Sequence, residues 1–311
     1  MENSLVSVIM SVYNENEEWI HESINSILRQ TYKKLEFIII LDNPRNTKAD
    51  DIIKSYLKRD NRIKYYINEK NIGLTKSLNF ALKQCNGNFI ARMDADDVST
   101  YNRIEKQLTY LVNNNLDLVG SNIEYFFENK SFDKSNFPQK NHDIKLALMN
   151  GNCMAHPTWF VKKEVYERLH GYRQIPYCED FDFLLRTIKK KFKIGNIDDR
   201  LLYYRLSPNS ISRTYLLEQR LITDYLIKNY DDLEKVTVHQ IELYIKKLKI
   251  TNSKKNKYIK AYQYALKANE CKNKGRKVLY YLNLLLSSLI SYNFFRLNYL
   301  NQVIIKLKNN K

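Results

Sequence analysis

The chain has 311 residues, 44% hydrophobic and 13% aromatic, enough to bury one large core with an appendage. Only 7 residues are glycine, and neither GxGxxG nor GxxxxGK[ST] occurs, which argues against a backbone cradle for phosphates. The net charge of +17 is lopsided: residues 241–311 hold 16 Lys and Arg against Glu242 and Glu270, while the first 240 residues are near neutral. Such a basic block attracts anionic lipid or nucleic acid. An AT-rich coding bias accounts for the abundance of lysine, but not for the near absence of acids after residue 241.

The apolar, β-branched run Val6–Val12 predicts a buried strand. Trp19, Ile20, Ile24, Ile27 and Leu28 recur at helical spacing and predict a helix over 19–30. Leu35–Leu41 repeats the strand pattern and stops at the turn cluster Asp42-Asn43-Pro44-Arg45. A helix over 49–59, a strand over Ile63–Ile67, a helix over 74–85 and a strand over 89–93 follow. This alternation predicts an α/β fold with a doubly wound, mostly parallel central sheet. Beyond a helix over 101–114 the pattern loosens. Strands are expected over 116–126, 159–161 and within 194–205, and helices over 144–150, 163–169 and 179–190. After residue 215 only helices are expected. The uncharged run 278–295 reaches the lower limit of a bilayer span, yet includes Asn283, Ser287, Ser288, Ser291 and Asn293. A packed or interfacial helix is the expectation there.

Cys85, Cys153, Cys178 and Cys271 are widely spaced, as reduced, packed thiols are, and form no zinc or disulfide frame. The strand pattern begins by Leu5 without the regions of a secretory leader, so a cytoplasmic protein is expected.

Asp94-Ala95-Asp96-Asp97 carries the chemistry. It follows a strand pattern and precedes a helical one, and in open α/β sheets ligands bind outside the carboxyl ends of strands. Three carboxylates repel one another unless a cation or donors offset them, and carboxylate oxygens suit Mg²⁺ or Mn²⁺ held together with substrate phosphates. The competing reading is a helix N-cap with acids at the positive end of the dipole. The same two readings apply to Glu179-Asp180, which opens a helical pattern: a dipole-favoured helix start, or a carboxylate pair whose like charges tune a general base.

The ordered motifs resemble family 2 glycosyltransferases of the GT-A fold. They are Val6-Ser7-Val8-Ile9-Met10-Ser11-Val12-Tyr13-Asn14-Glu15, Ile40-Leu41-Asp42-Asn43, Asn71-Ile72-Gly73-Leu74, Gly87 to Asp97, Ala155-His156-Pro157-Thr158, Cys178-Glu179-Asp180 and Tyr204-Arg205-Leu206-Ser207-Pro208-Asn209-Ser210. The match covers about residues 5–213 and leaves the last hundred outside. Asn43-Pro44 stands where the family commonly has Asp-Gly, and Ser207 where relatives often have His.

The resemblance implies a nucleotide-sugar-binding half over 1–115, an acceptor-binding and catalytic-base half over 116–214, and a basic, all-helical extension over 215–311. It implies an inverting, metal-dependent transfer from a nucleotide-diphosphate sugar, UDP-linked above all, to a hydroxyl of a glycan or lipid-linked oligosaccharide in surface polysaccharide biosynthesis. Asp180, with Glu179 beside it, is then the catalytic base. Val12, Tyr13, Asn14, Glu15, Asp42, Asp94, Asp96 and Arg205 bind the donor. Asp96 and Asp94 hold Mg²⁺ or Mn²⁺, while Asp97 is expected to cap the next helix. His156 and Trp159 face the acceptor. Residues 241–311 are expected on an anionic membrane, making the enzyme peripheral on the inner face of the cell membrane, with contact between subunits as the alternative use of these helices. A sugar nucleotidyltransferase is the nearest rival, but its first loop is Gly-rich and basic, whereas Tyr13-Asn14-Glu15-Asn16-Glu17 is acidic. A nucleic-acid-binding protein would use the basic block, but no zinc finger, RRM or helix-turn-helix pattern accompanies it, so no nucleic-acid partner is expected.

Overall fold

The computed structural model describes residues 4–127, 130–206 and 214–291. The chain forms two compact units, Met1–Ser210 and Ile211–Lys311. In the first, the elements run β1 (Val6–Val12), α1 (Glu17–Leu28), β2 (Leu35–Leu41), α2 (Thr47–Leu57), β3 (Ile63–Ile67), α3 (Leu74–Gln84), β4 (Phe89–Asp94), β5 (Val98–Ser99), α4 (Arg103–Asn113), β6 (Leu118–Phe127), β7 (Lys130–Lys134), α5 (Asn141–Leu148), β8 (Phe160–Lys162), α6 (Lys163–Arg168), α7 (Glu179–Lys189) and β9 (Ile194–Arg205).

The strands order as β3-β2-β1-β4-β8-β6-β9-β5, with β7 paired to β6. β3, β2, β1 and β4 pair in parallel, as do β6 and β9. β8 runs antiparallel to both β4 and β6, so those two strands point the same way. Every residue of β1 and β2 is buried, as strands covered on both faces require. The sheet is thus the expected doubly wound one, and it runs without a break through residues on both sides of 115.

Two features place the loops that matter. The register sets Val12 opposite Leu41 and Ser11 opposite Asp94, so the ends of β1, β2 and β4 lie level at one edge. Gly73 takes φ +86° at the start of α3, a conformation that side chains resist, and its N–H reaches Asp42.

The second unit contains α8 (Leu216–Lys228), a 3₁₀ turn (Tyr230–Lys235), α9 (Val238–Lys247), α10 (Asn252–Asn273) and α11 (Lys277–Ile290). Its helices start on caps: Thr237 and Gln240 form a capping box for α9, and Thr251 caps α10. Its core is small, built on Leu217, Tyr258 and Ala261 with Ile290 packed against them. No described helix is long and apolar enough to cross a membrane. The end of the uncharged run, 292–295, and the loop motif 207–210 lie outside the described residues.

Candidate active site

The acid turn Asp94-Ala95-Asp96-Asp97 begins on the last residue of β4. Ser23 Oγ on α1 donates to the Asp94 carbonyl at 2.8 Å, and Asp97 N–H closes back on the same oxygen at 3.4 Å. Asp97 does not cap a helix. Its carboxylate is buried, with Oδ1 accepting from Arg205 N–H at 2.9 Å, and β5 lies between it and α4. Ligand atoms of Asp94, Asp96 and Asp97 lie within 4.8 Å of one another, and Asp97 Oδ2 is buried without a hydrogen-bond partner. Burial first, then the Asp94 and Glu15 charges, lift Asp96 to about 7. Burial and the charges of Asp96 and Asp94 lift Asp97 well above the usual range. A hard divalent cation would remove this like-charge strain, so the carboxylates of Asp94, Asp96 and Asp97 fit Mg²⁺ or Mn²⁺ as a donor set.

Arg92, which the sequence leaves unassigned, is the buried cation of this cluster. It sits two residues before Asp94 on the same face of β4, fully buried, and Nη2 pairs with Asp94 Oδ1. Its Nε and Nη1 are buried without partners. Its charge acts on Glu15, Asp97, His156 and Glu179. Arg103, also fully buried, donates from Nη1 to the carbonyls of Arg92 (3.1 Å) and Pro157 (2.6 Å), tying β4 to the turn before β8.

Val12 ends β1, and its carbonyl accepts from Asp42 N–H at 2.7 Å. Tyr13 and Asn14 beyond it are exposed. Glu15 Oε2 accepts from Tyr13 N–H at 2.7 Å, and burial lifts its carboxyl above the normal range, with Asp94 adding to it. Asp42 is buried. Asn68 Nδ2 (2.8 Å) and Ile72 N–H (2.9 Å) occupy Oδ1, and Gly73 N–H (2.9 Å) binds Oδ2. Three of about four acceptor positions are therefore used in fixing the Asn71-Ile72-Gly73 loop, leaving one on Oδ2.

Glu179 and Asp180 open α7, half-buried. Asn152 Nδ2 donates to Asp180 Oδ2 at 2.7 Å and Phe181 N–H to Oδ1 at 2.6 Å. Burial lifts Asp180 to about 6, Asp94 adds to the rise, and these two donors restrain it. Burial, then Asp180, push Glu179 up to about 8. Both carboxyls are thus raised above the ordinary carboxylate range and titrate as an interacting pair.

His156 Nε2 meets Tyr172 Oη at 2.9 Å, and Tyr172 Oη meets Tyr166 Oη at 2.9 Å. Burial and the Arg92 charge hold the imidazole well below its normal range, so it is neutral.

Two expected contacts are corrected. Trp159 offers no acceptor surface: its indole is fully buried, donates Nε1–H to the Met154 carbonyl and packs edge-on against His156, at the junction between the His156–Thr158 turn and the buried start of β8. Arg205 is not free for a diphosphate. Its guanidinium is buried, with Nε on the Asp96 carbonyl (2.7 Å), Nη2 paired with Glu22, and its face over Trp19 and Phe126. The last residue of β9 thus locks the acid turn. Sequence reasoning missed Arg92, Asn152 and Glu22; none carries a local pattern, and each is defined by a long-range partner.

An α/β sheet whose first four strands are parallel, with an acid turn at their carboxyl edge and a carboxylate pair at a helix start, defines a GT-A glycosyltransferase. The chain belongs to glycosyl transferase family 2, whose family model matches residues 7–170. It is 37% identical over 233 residues to a glycosyltransferase of Methanocaldococcus jannaschii, covering 74% of this chain and 80% of that one. It is 36% identical over 238 residues to the O-antigen biosynthesis glycosyltransferase WbnJ of Escherichia coli, covering 71% and 92%. Among solved structures, S. aureus TarS 1–349 in complex with UDP-GlcNAc superposes with TM-score 0.58 at 17% identity, covering 91% of each chain. Mannosyltransferase PcManGT from Pyrobaculum calidifontis, in complex with GDP-Man and Mn2+, gives 0.56 at 15% identity, covering 91% and 86%.

Proposed function

We propose that the protein transfers a sugar, with inversion, from a UDP-linked donor to a hydroxyl of a glycan or lipid-linked oligosaccharide in the synthesis of a surface polysaccharide. The WbnJ relative supports the biosynthetic setting, and the TarS neighbour's UDP-GlcNAc supports the donor class. The observation that carries the reading is the pairing of two acid groups with different work. Asp94 and Asp96 stand in a turn whose carboxylates are close enough to share a cation, and Asp180, which accepts from Asn152 Nδ2 and Phe181 N–H, stands beside Glu179 at a helix start.

The acceptor hydroxyl attacks the anomeric carbon on the face opposite the diphosphate. The bond to the acceptor oxygen forms as the bond to the diphosphate oxygen breaks, and that electron pair leaves with the nucleoside diphosphate. The hydroxyl proton passes to Asp180, which returns it to water. A divalent cation, when bound at Asp94 and Asp96, stabilises the charge on the leaving diphosphate. The last acceptor position on Asp42 Oδ2 is available to a ring N–H, which uracil presents. Tyr13, Asn14 and Glu15 line the nucleotide side, and His156, neutral, offers a ring nitrogen to the acceptor side.

The test is hydrolysis and transfer with a panel of UDP- and GDP-sugars, with product anomers followed by NMR. UDP-sugar turnover with inverted configuration is expected. A product that keeps the donor's configuration rejects the single-displacement mechanism, and exclusive use of GDP-sugars rejects the donor assignment.

A further inference from the structure

Helix α11 leaves a stripe of apolar side chains uncovered. On α11, Val278, Tyr281, Leu282, Leu285 and Leu289 are exposed by 82, 60, 48, 56 and 74%. Their spacing puts them on one stripe of the helix. The opposite face, which is turned inward, holds Asn283 and Ser287 with Tyr280, Leu284 and Ile290. Ser287 is fully buried, its hydroxyl donating to the Leu284 carbonyl, and Asn283 donates to the Leu279 carbonyl. A helix that borders water ordinarily presents polar residues on its outer face. On α10, Ile259 and Leu266 are also exposed, seven residues apart, and each is followed directly by a lysine, Lys260 or Lys267.

We infer that this α10–α11 hairpin docks on an anionic bilayer surface, with the leucine stripe of α11 immersed at the headgroup boundary. Charge selects the occupant. Residues 252–290 carry nine Lys and Arg against the single acid Glu270, with Lys272, Lys274, Arg276 and Lys277 gathered around the bend. A second copy of the same face brings the same positive charge. The 292–311 tail adds Arg296, Lys306, Lys308 and Lys311 and no acid, so both are electrostatically disfavoured partners. A nucleic acid would satisfy the charge but not the stripe, which holds no base and four aliphatic side chains. Anionic lipid satisfies both, with lysine stems reaching past the apolar face to the headgroups. At 14 residues α11 is about 21 Å long, too short to span, so it lies along the surface. The inference is independent of the reaction chemistry proposed above.

The experiment is co-sedimentation of the full chain with phosphatidylcholine vesicles, with and without phosphatidylglycerol, at low and high salt. Binding is expected only with phosphatidylglycerol, and salt weakens it. Leu285→Asn with Leu289→Asn lowers partitioning by about tenfold per side chain, and Lys274→Gln with Lys277→Gln by about fivefold per charge. These side chains are largely exposed, so circular dichroism and the melting temperature stay as in the parent. The full chain remaining in the supernatant with phosphatidylglycerol at low salt overturns the inference. So does binding that the leucine pair leaves unchanged, which would mean attraction by charge alone. A dimer in sedimentation velocity that the leucine variants dissociate, without vesicle binding, gives the face to a second copy instead.

Discussion

Replacing Asn152 by Ala removes one of the two donors to the half-buried Asp180 carboxylate. A hydrogen bond to a charged group contributes about 1.5–3 kcal/mol. Each 1.36 kcal/mol displaces a titration tenfold. Water takes up part of the lost contact at this half-buried carboxylate, so the acid limb of kcat/KM is expected to move from about 6 to about 7. At pH 6 the ionised fraction of the base falls from about one half to about one tenth, a roughly fivefold loss of rate. By pH 8.5 both forms are almost fully ionised and the difference fades. The assay is a pH series of initial rates at low donor, with product measured directly. A loss of the same size at every pH would show that Asn152 only positions α7, and an unmoved acid limb would refute the assignment of that limb to Asp180.

Asp180→Asn should retain UDP affinity by calorimetry and lose about 10²–10⁴-fold in rate; weakened UDP binding at unchanged rate would move Asp180 to the donor site. Mn²⁺ should raise the melting temperature of the parent but not of Asp96→Ala, and EDTA should stop turnover; full activity in excess EDTA would remove the cation from the reaction. Gly87→Ala should cost about 1–3 kcal/mol in urea unfolding, because a Cβ there would stand 2.6 Å from the Ser7 nitrogen and 2.7 Å from the Leu5 carbonyl oxygen. An unchanged midpoint would mean that the β1 entry yields easily.

The strands β1, β2 and β3 were legible to the residue: β1 and β2, buried at every position, are predominantly apolar, while β3, buried only at Ile63, is bounded by turn residues. The starts of α1 and α2 were read late. Apolar periodicity begins at Trp19 and Ala49, while α1 and α2 begin two residues earlier on Asn16 and Asn46, whose side chains accept from Glu18 and Ala49 N–H. β5 is two residues long and β7 reads Lys-Ser-Phe-Asp-Lys, so neither has a periodicity to detect. In the site, the carboxylates were legible because several acids at a strand or helix end demand an explanation. Trp159 and Arg205 were misread because residue type suggests a role and only burial decides it. Both are spent on the protein itself.

The reversed strand β8 brings two distant parts of the chain together. It runs against β4, and its first residue, Phe160, pairs with Ala91, close to the Asp94 end of that strand. The turn that feeds it, His156–Thr158, therefore lies beside the carboxyl end of β4, near the acid turn. The chain between β6 and that turn is itself pinned to the sheet: β7 pairs with β6, Asn196 Nδ2 donates to the Pro138 carbonyl, and Ile194 N–H donates to Asn141 Oδ1. A change of length there must keep these ties if the His156–Thr158 turn is to hold its place beside the acid turn, where Arg103 binds the Arg92 and Pro157 carbonyls.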